Sequence, residues 1–468
     1  MSKYSYHFLA FALIFCSAFA RAQANPQQNL EDQFHVAAVD YEAGRFLEAA
    51  AILETLLPKL PRSYEVHELL GLVYGAQSQD EKAVEQLQAA IRLRPDATEG
   101  HTNLAAVLVR GHKTAAAAEQ FRDALRLAPH DYDTNHNLGE FYIQTGRVAD
   151  ATQLLEEAQR IQPSYDNGYD LALIYLHTNR LDDARRIIQA IALQKNTGEL
   201  HNLLAQVDEK DGKFIEAANE FEAAAHLDPS EDNLFDWGGE LLLHRTYDPA
   251  VEVFRNGIQR YPRSPRLQIG LGMALYSRGN YDDAVKALLT AADLKPSDAR
   301  CYLFLSKAYD SSPSEAQAVI ERFHRYSELE PNNGRALYYY AMSLWKGKRV
   351  EDSNLDLHTV EALLVKSVAL NDKLPESQVQ LGNLYADQHQ YEKSIPLYQR
   401  ALALDPGLPD AHYRLGQDYV HTGKKDLAKS EFALYEKLRA QHLAEVDKER
   451  AEVQQFVYSE KPSASANP

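Results

Sequence analysis

Cysteine is nearly absent from this chain. Its 468 residues include only 2, Cys16 and Cys301. Cys16 lies in an N-terminal segment expected to be removed, so Cys301 is left alone and no intrachain disulfide is available to hold the fold. A zinc site built on paired cysteines is excluded for the same reason. Long apolar runs are scarce too. The one such stretch, residues 8–19, is too short to cross a bilayer comfortably. Runs of β-branched residues are rare, which disfavours sheet. Several chemical signatures are missing: His-Glu-x-x-His, a calcium loop of alternating Asp ending in Glu, Gly-x-Ser-x-Gly, and a phosphate-cradling glycine loop. Positive charge is in deficit, with 49 Lys and Arg against 67 Asp and Glu and a net charge of −18. That balance argues against a general nucleic-acid binder or a protein that adheres to anionic membranes.

The apolar stretch has its own reading. Lys3 supplies a positive start, residues 8–19 an apolar core, and Ala20-Arg21-Ala22 or Ala22-Gln23-Ala24 a small-residue cleavage site. Residues 1–24 are therefore expected to be a secretory signal, and the mature chain periplasmic or secreted. A lipoprotein reading through Cys16 is disfavoured, because bulky Phe15 stands where a small residue is needed. Removing Lys3 and Arg21 takes the charge from −18 to −20.

Abundant Ala, Leu, Glu and Gln favour helix, and 45% hydrophobic residues suffice for a core. The dominant feature is self-similarity at a spacing of 34 residues. His67, Leu70, Gly71, Tyr74, Ala83, Leu87, Ala90 and Pro95 recur as His101, Leu104, Ala105, Leu108, Ala117, Phe121, Ala124 and Pro129. They recur again as Asn135, Leu138, Gly139, Tyr142, Ala151, Leu155, Ala158 and Pro163. With each repeat numbered from its first residue, large residues at slots 7 and 11 share one helical face, and a small residue at slot 8 admits a second helix. Small, bulky and small residues at slots 20, 24 and 27 form the matching face. Glycine near slot 15 makes the turn, as at Gly146, Gly212, Gly279 and Gly423, and proline at slot 32 ends the unit. Ser264-Pro265 reads as a helix cap followed by a first-turn proline.

This pattern resembles the tetratricopeptide repeat family, as found in secreted or periplasmic bacterial proteins. The resemblance implies an all-α, right-handed superhelical solenoid of about twelve helix-turn-helix repeats, with the first helix of each (helix A) lining a concave face. Repeats are expected to start near residues 30, 64, 98, 132, 165, 198, 231, 265, 299, 334, 375 and 409. Repeats one to seven then occupy 30–264. Repeats eight to ten occupy 265–374, with a longer loop at 346–358, and the last two occupy 375–442. A polar capping extension of the final helix is expected over 443–457, followed by a disordered tail at 458–468. No stretch of this sequence is left over for a separate catalytic domain.

His67, His101, His201 and His412 all take slot 4, which points to packing rather than metal ligation. The chain is expected to be neither an enzyme nor a cofactor or metal protein. Function should then reside in the groove slots 2, 5, 6, 9, 12 and 13 of the A-helices. Slot 2 is acidic in most repeats, as the helix dipole favours. Three consecutive repeats break the trend with Arg266, Arg300 and Arg335. Lys307, Tyr276, Tyr338, Tyr339, Met342 and Trp345 occupy nearby groove slots, whereas Tyr340 falls on the core slot 7. Exposed aromatic, Met and Arg side chains make a binding hot spot, so repeats eight to ten are expected to hold a protein or peptide, one bearing acidic groups. A glycan stacked on the aromatics is the alternative. Membrane contact is expected only through partners. Asn103 and Asn137 at slot 6 form a second candidate, similar to the asparagine ladder with which the repeats of O-linked N-acetylglucosamine transferases hold a peptide backbone.

Overall fold

The computed structural model describes residues 26–312, 314–351 and 357–441, and all regular structure among them is helical. They form two compact units, the first ending at Ile174 and the second beginning at Tyr175. The expected signal segment, the capping extension at 443–457 and the tail at 458–468 lie outside the described residues.

The first unit contains four antiparallel hairpins: α1 (Pro26–Glu42) with α2 (Phe46–Leu56), α3 (Tyr64–Ala76) with α4 (Asp80–Leu93), α5 (Thr98–Arg110) with α6 (Thr114–Leu127), and α7 (Tyr132–Gln144) with α8 (Val148–Ile161). The unit boundary falls within α9 (Tyr165–His177). The second unit continues with α10 (Leu181–Ala192), and then pairs α11 (Gly198–Lys210) with α12 (Phe214–Leu227) and α13 (Glu231–Leu243) with α14 (Tyr247–Arg260). It adds α15 (Pro265–Arg278) with α16 (Tyr281–Leu294), α17 (Ala299–Ser311) with α18 (Ala316–Leu329), and α19 (Gly334–Glu351) with α20 (Leu357–Leu370). It closes with α21 (Pro375–Asp387), α22 (Tyr391–Leu404), α23 (Pro409–His421) and a last helical run over 425–441.

Why the hairpins close is visible at slot 8. A Cβ added to Gly139 would lie 2.6 Å from Leu155 Cδ2, and one added to Gly272 would lie 2.5 Å from Leu288 Cγ. Each glycine lets its own second helix bring a fully buried leucine against the backbone. The turns end helix A with a left-handed residue. In the hairpin of α7 and α8, Gly146 N donates to Ile143 O and Arg147 N donates to Tyr142 O, the paired bonds of a Schellman motif. Glycine is not universal at this place: Ser78, His112, Asn179, Arg245 and His389 also adopt positive φ, while in the hairpin of α17 and α18 the left-handed residue is Glu315, directly before α18. Helix starts follow the sequence as well. The Ser264 hydroxyl accepts from Leu267 N at 3.1 Å, with Pro265 in the first turn.

One stretch departs from expectation. Residues 346–358 were to be a loop, but α19 runs on as helix to Glu351. The polar run Lys346 to Glu351 contains no proline, so nothing in it stops a helix already under way.

Candidate ligand groove

In the second unit the A-helices α13, α15 and α17 lie side by side. Slots three to four residues apart therefore form one wall across neighbouring hairpins.

The three slot-2 arginines already have acidic neighbours. Arg266 pairs with Asp232 of α13, lies 3.3 Å from Asp236 Oδ1, and places its guanidinium 4.0 Å from the centroid of the Phe235 ring. Arg300 turns back onto the cap of its own helix, donating from Nε and Nη2 to the Asp298 carboxylate at 2.9 and 2.7 Å. That contact holds the Asp298 carboxyl below its usual range. Arg335 Nη1 stands 3.7 Å from Glu376 Oε1 on α21. The Arg335–Glu376 pair, with both partners 44% exposed, is worth about 0–1 kcal/mol, so an incoming oxyanion can compete with it, whereas Asp298 is buried and holds Arg300 through two bonds. Arg300, with 61% of its side chain exposed, is the most open of the three.

The aromatic part of the expected patch needs correction. Tyr339, Met342 and Trp345 are only 4%, 8% and 6% exposed. Tyr339 packs on Phe323 at 5.5 Å, and Met342 and Trp345 share a core cluster with Val360, Leu364, Leu381 and Leu384. Tyr339 thus seals α19 against the preceding α18, and Met342 and Trp345 seal it against α20 and α21, so all three are core rather than groove wall. Tyr340, read as core, is only partly buried, while Ala341 beside it is fully enclosed. Tyr276 and Tyr338 remain partly exposed, and Lys307 is exposed with its Nζ 5.8 Å from the Phe304 ring centroid. Burial raises the Tyr338 hydroxyl well above its ordinary value.

In the first unit the asparagine pair behaves unequally. Asn103 donates to Glu68 Oε1 at 3.2 Å, and the same carboxylate accepts from the Tyr64 hydroxyl at 2.7 Å. Its amide is thus engaged by a buried acid whose pKa burial raises. Asn137 on α7 is half-buried. Around it the groove is acidic. Burial, with Glu140 and Asp166 adding and His136 opposing, pushes Asp170 up to about 6. Asp133 is raised as well, first by burial.

The slot-4 histidines make structural contacts. His67, His101 and His412 place Nδ1 at 2.8, 2.9 and 2.6 Å from Gln86, Gln120 and Glu431 of the partner helix. Their Nε2 atoms lie 3.3, 3.1 and 3.2 Å from the Pro61, Pro95 and Pro406 carbonyl oxygens. His201 meets Glu220 in the same way. One ring thereby ties both helices of a hairpin to the loop before it. Among the described residues no group of three His, Cys, Asp or Glu is placed to hold a metal ion, and no helix is long and apolar enough to cross a membrane.

Family models described as tetratricopeptide repeat match residues 38–98, 108–167 and 235–299, and one described as TPR repeat matches 382–423. The chain contains tetratricopeptide repeats. TPR repeat-containing protein YpiA of Bacillus subtilis (strain 168) is 25% identical over 188 residues, 40% of this chain and 42% of that protein. The chain thus spans less than half the length of that relative. The crystal structure of yeast Tom70 is 15% identical, covering 93% of this chain and 98% of Tom70, with a TM-score of 0.39. A tetratricopeptide repeat protein from Parabacteroides merdae is 16% identical, covering 53% of this chain and 99% of its own, with a TM-score of 0.38.

Two features of the repeat wall escaped sequence reading. Met273, Leu303 and Phe304 are partly exposed apolar side chains on α15 and α17, packed against the core from the groove side. Their signal was apolar residues at groove slots 9, 5 and 6. Beside them lies an acidic patch. Glu209 on α11 is raised by burial and by Glu240, and Asp236 on α13 is raised by burial despite the Asn202 amide donating to it at 2.9 Å. Here the signal was acids in groove slots of consecutive repeats, a coincidence that single-helix reading does not register.

Proposed function

We propose that this chain is a non-catalytic scaffold whose A-helix wall in repeats eight to ten binds a protein or peptide segment. Tetratricopeptide repeats support protein–protein interaction in general. The observation that carries the location is the row of Met273, Tyr276, Leu303, Phe304 and Tyr338, apolar or aromatic side chains left partly open on the A-helices. Slots 7, 8, 11, 20, 24 and 27 make the hairpin core, and the part of these groove-slot side chains that stays open is apolar area available to a partner. Lys307, Arg300 and Arg335 beside it favour a partner with acidic groups. The glycan alternative relied on more rings than remain exposed, because Tyr339 and Trp345 are buried. The peptide reading is therefore preferred.

The N-terminal pattern of Lys3, residues 8–19 and Ala22 supports an extracytoplasmic location, in an envelope, export or polysaccharide-secretion assembly. Photocrosslinking from position 276 or 307 in the native cell tests the groove. A discrete adduct there, absent from the exposed position 255 on α14, is expected. Charge reversal at Arg300 and Arg335 together should reduce it, and an undiminished adduct would remove the arginines from the proposal. Fractionation with sequencing of the mature N-terminus tests the location.

A further inference from the structure

Slot 9 of four consecutive A-helices holds Gln206, Gly239, Met273 and Lys307. Gly239 is unusual among the helical glycines. Its neighbour Gly238 is required, since a Cβ there would lie 2.8 Å from the Phe254 ring. A Cβ on Gly239 would meet nothing within 4 Å. Mid-helix glycine costs about 1 kcal/mol relative to alanine, and packing gives no return for it at this position. What the glycine supplies is a notch in the wall. Carboxylates outnumber cations on the neighbouring helices: Glu209 on α11 and Asp232, Asp236 and Glu240 on α13, against Lys210 and Arg266, with Arg266 already meeting Asp232 and Asp236. Glu240 is almost fully buried, with its Oε1 facing His244 Nε2 at 3.2 Å. Next along the row is the apolar stretch of Met273, Leu303 and Phe304. Beyond it stands exposed Lys307, which makes no ion pair among the described residues.

We infer that this row reads an extended peptide bearing a basic, an apolar and an acidic side chain at three-residue intervals, seated at Gly239, Met273 and Lys307 respectively. The inference rests on the scaffold reading above and adds the identity of the occupant. The interval follows from geometry. Neighbouring packed helices lie about 8–10 Å apart, and an extended chain advances about 3.3 Å per residue, so equivalent slots are about three residues apart on the ligand. The charges follow from complementarity: a lysine or arginine of the partner fits the notch, and a carboxylate fits Lys307.

The test uses the full chain and fluorescent peptides of about twelve residues on a Gly/Ser background. Two carry Lys-x-x-Leu-x-x-Glu in either direction, two carry like charges at both ends, and one carries the mixed charges at altered spacing. One of the two mixed-charge directions should bind about tenfold more tightly than the like-charge and respaced peptides. Lys307→Glu should transfer the preference to the peptide with lysine at both ends, a result that a misfolded variant could not give. Gly239→Ala should raise the melting temperature, whereas Gly239→Phe should abolish the preference. Equal binding of mixed and like-charge peptides overturns the inference, as does no binding of any, or binding indifferent to Gly239→Phe. If the crosslinked adduct at position 276 persists in Gly239→Phe, only this inference fails. If no adduct forms in the parent chain, the scaffold reading itself fails.

Discussion

Asp170→Asn should stabilise the first unit at neutral pH, and the gain should disappear in acid. Asp170 is mostly buried beside Glu140 and Asp166, with His136 opposing them, and its pKa rises from 3.8 to about 6. The folded state therefore holds this proton more tightly than the unfolded chain does. The favourable term is complete below about pH 4, declines as pH rises, and is lost once pH passes about 6. A shift of roughly 2 units corresponds to at most about 3 kcal/mol of strain in the ionised folded state. Asparagine removes the charge at nearly constant volume. An increase of about 1–3 kcal/mol at pH 7.5 is expected, falling to near zero below pH 4, where the native aspartate is already protonated. Because repeat arrays can unfold in parts, the free energy is best read locally, from hydrogen-exchange protection of α7 and α9 amides in both proteins. The comparison at each pH cancels the titration of groups not coupled to Asp170. Stabilisation of equal size at both pH values, or none at pH 7.5, would refute the argument from buried charge.

Other positions give equally direct outcomes. Gly272→Ala forces a methyl to within 2.5 Å of Leu288 Cγ and should cost the second unit about 1–3 kcal/mol in urea unfolding, in contrast to Gly239→Ala. Ser78 adopts φ of 60° at the turn between α3 and α4, so Ser78→Gly should add about 0.5–1 kcal/mol to the first unit, measured by the same method. His412→Ala removes the contacts to Glu431 and the Pro406 carbonyl, and should lower stability by about 1–3 kcal/mol, seen as faster proteolysis near residues 409–441.

The hairpins were legible in the sequence because their determinants are local. Slot 8 glycine against slot 24 leucine, slot 15 glycine and slot 32 proline each act within a single 34-residue window, and backbone sterics enforce them. The histidine positions were legible for the same reason: recurrence at slot 4 marked them as structural, although the carbonyl and helix-B partners were not foreseeable. The groove was legible only in part. Arg300, Lys307 and Tyr276 keep the partial or full exposure their slots imply, because α15 and α17 are regular.

Tyr339, Met342 and Trp345 also occupy groove slots but are buried, Tyr339 against Phe323 of the preceding α18 and Met342 and Trp345 against α20 and α21, contacts that no single repeat describes. Likewise the sequence shows a glycine at 239 and acids at 209 and 236. Only the packing of α13 against α15, with Asn202 of α11 reaching Asp236, shows that the glycine opens space while the acids share one field. Sequence by itself determined the helical hairpin and its period, through contacts within one turn or one pair of helices. Which groove side chains stay open, and which charges confront one another, was decided by the packing between repeats, where desolvation and like-charge repulsion depend on neighbours about 34 residues away.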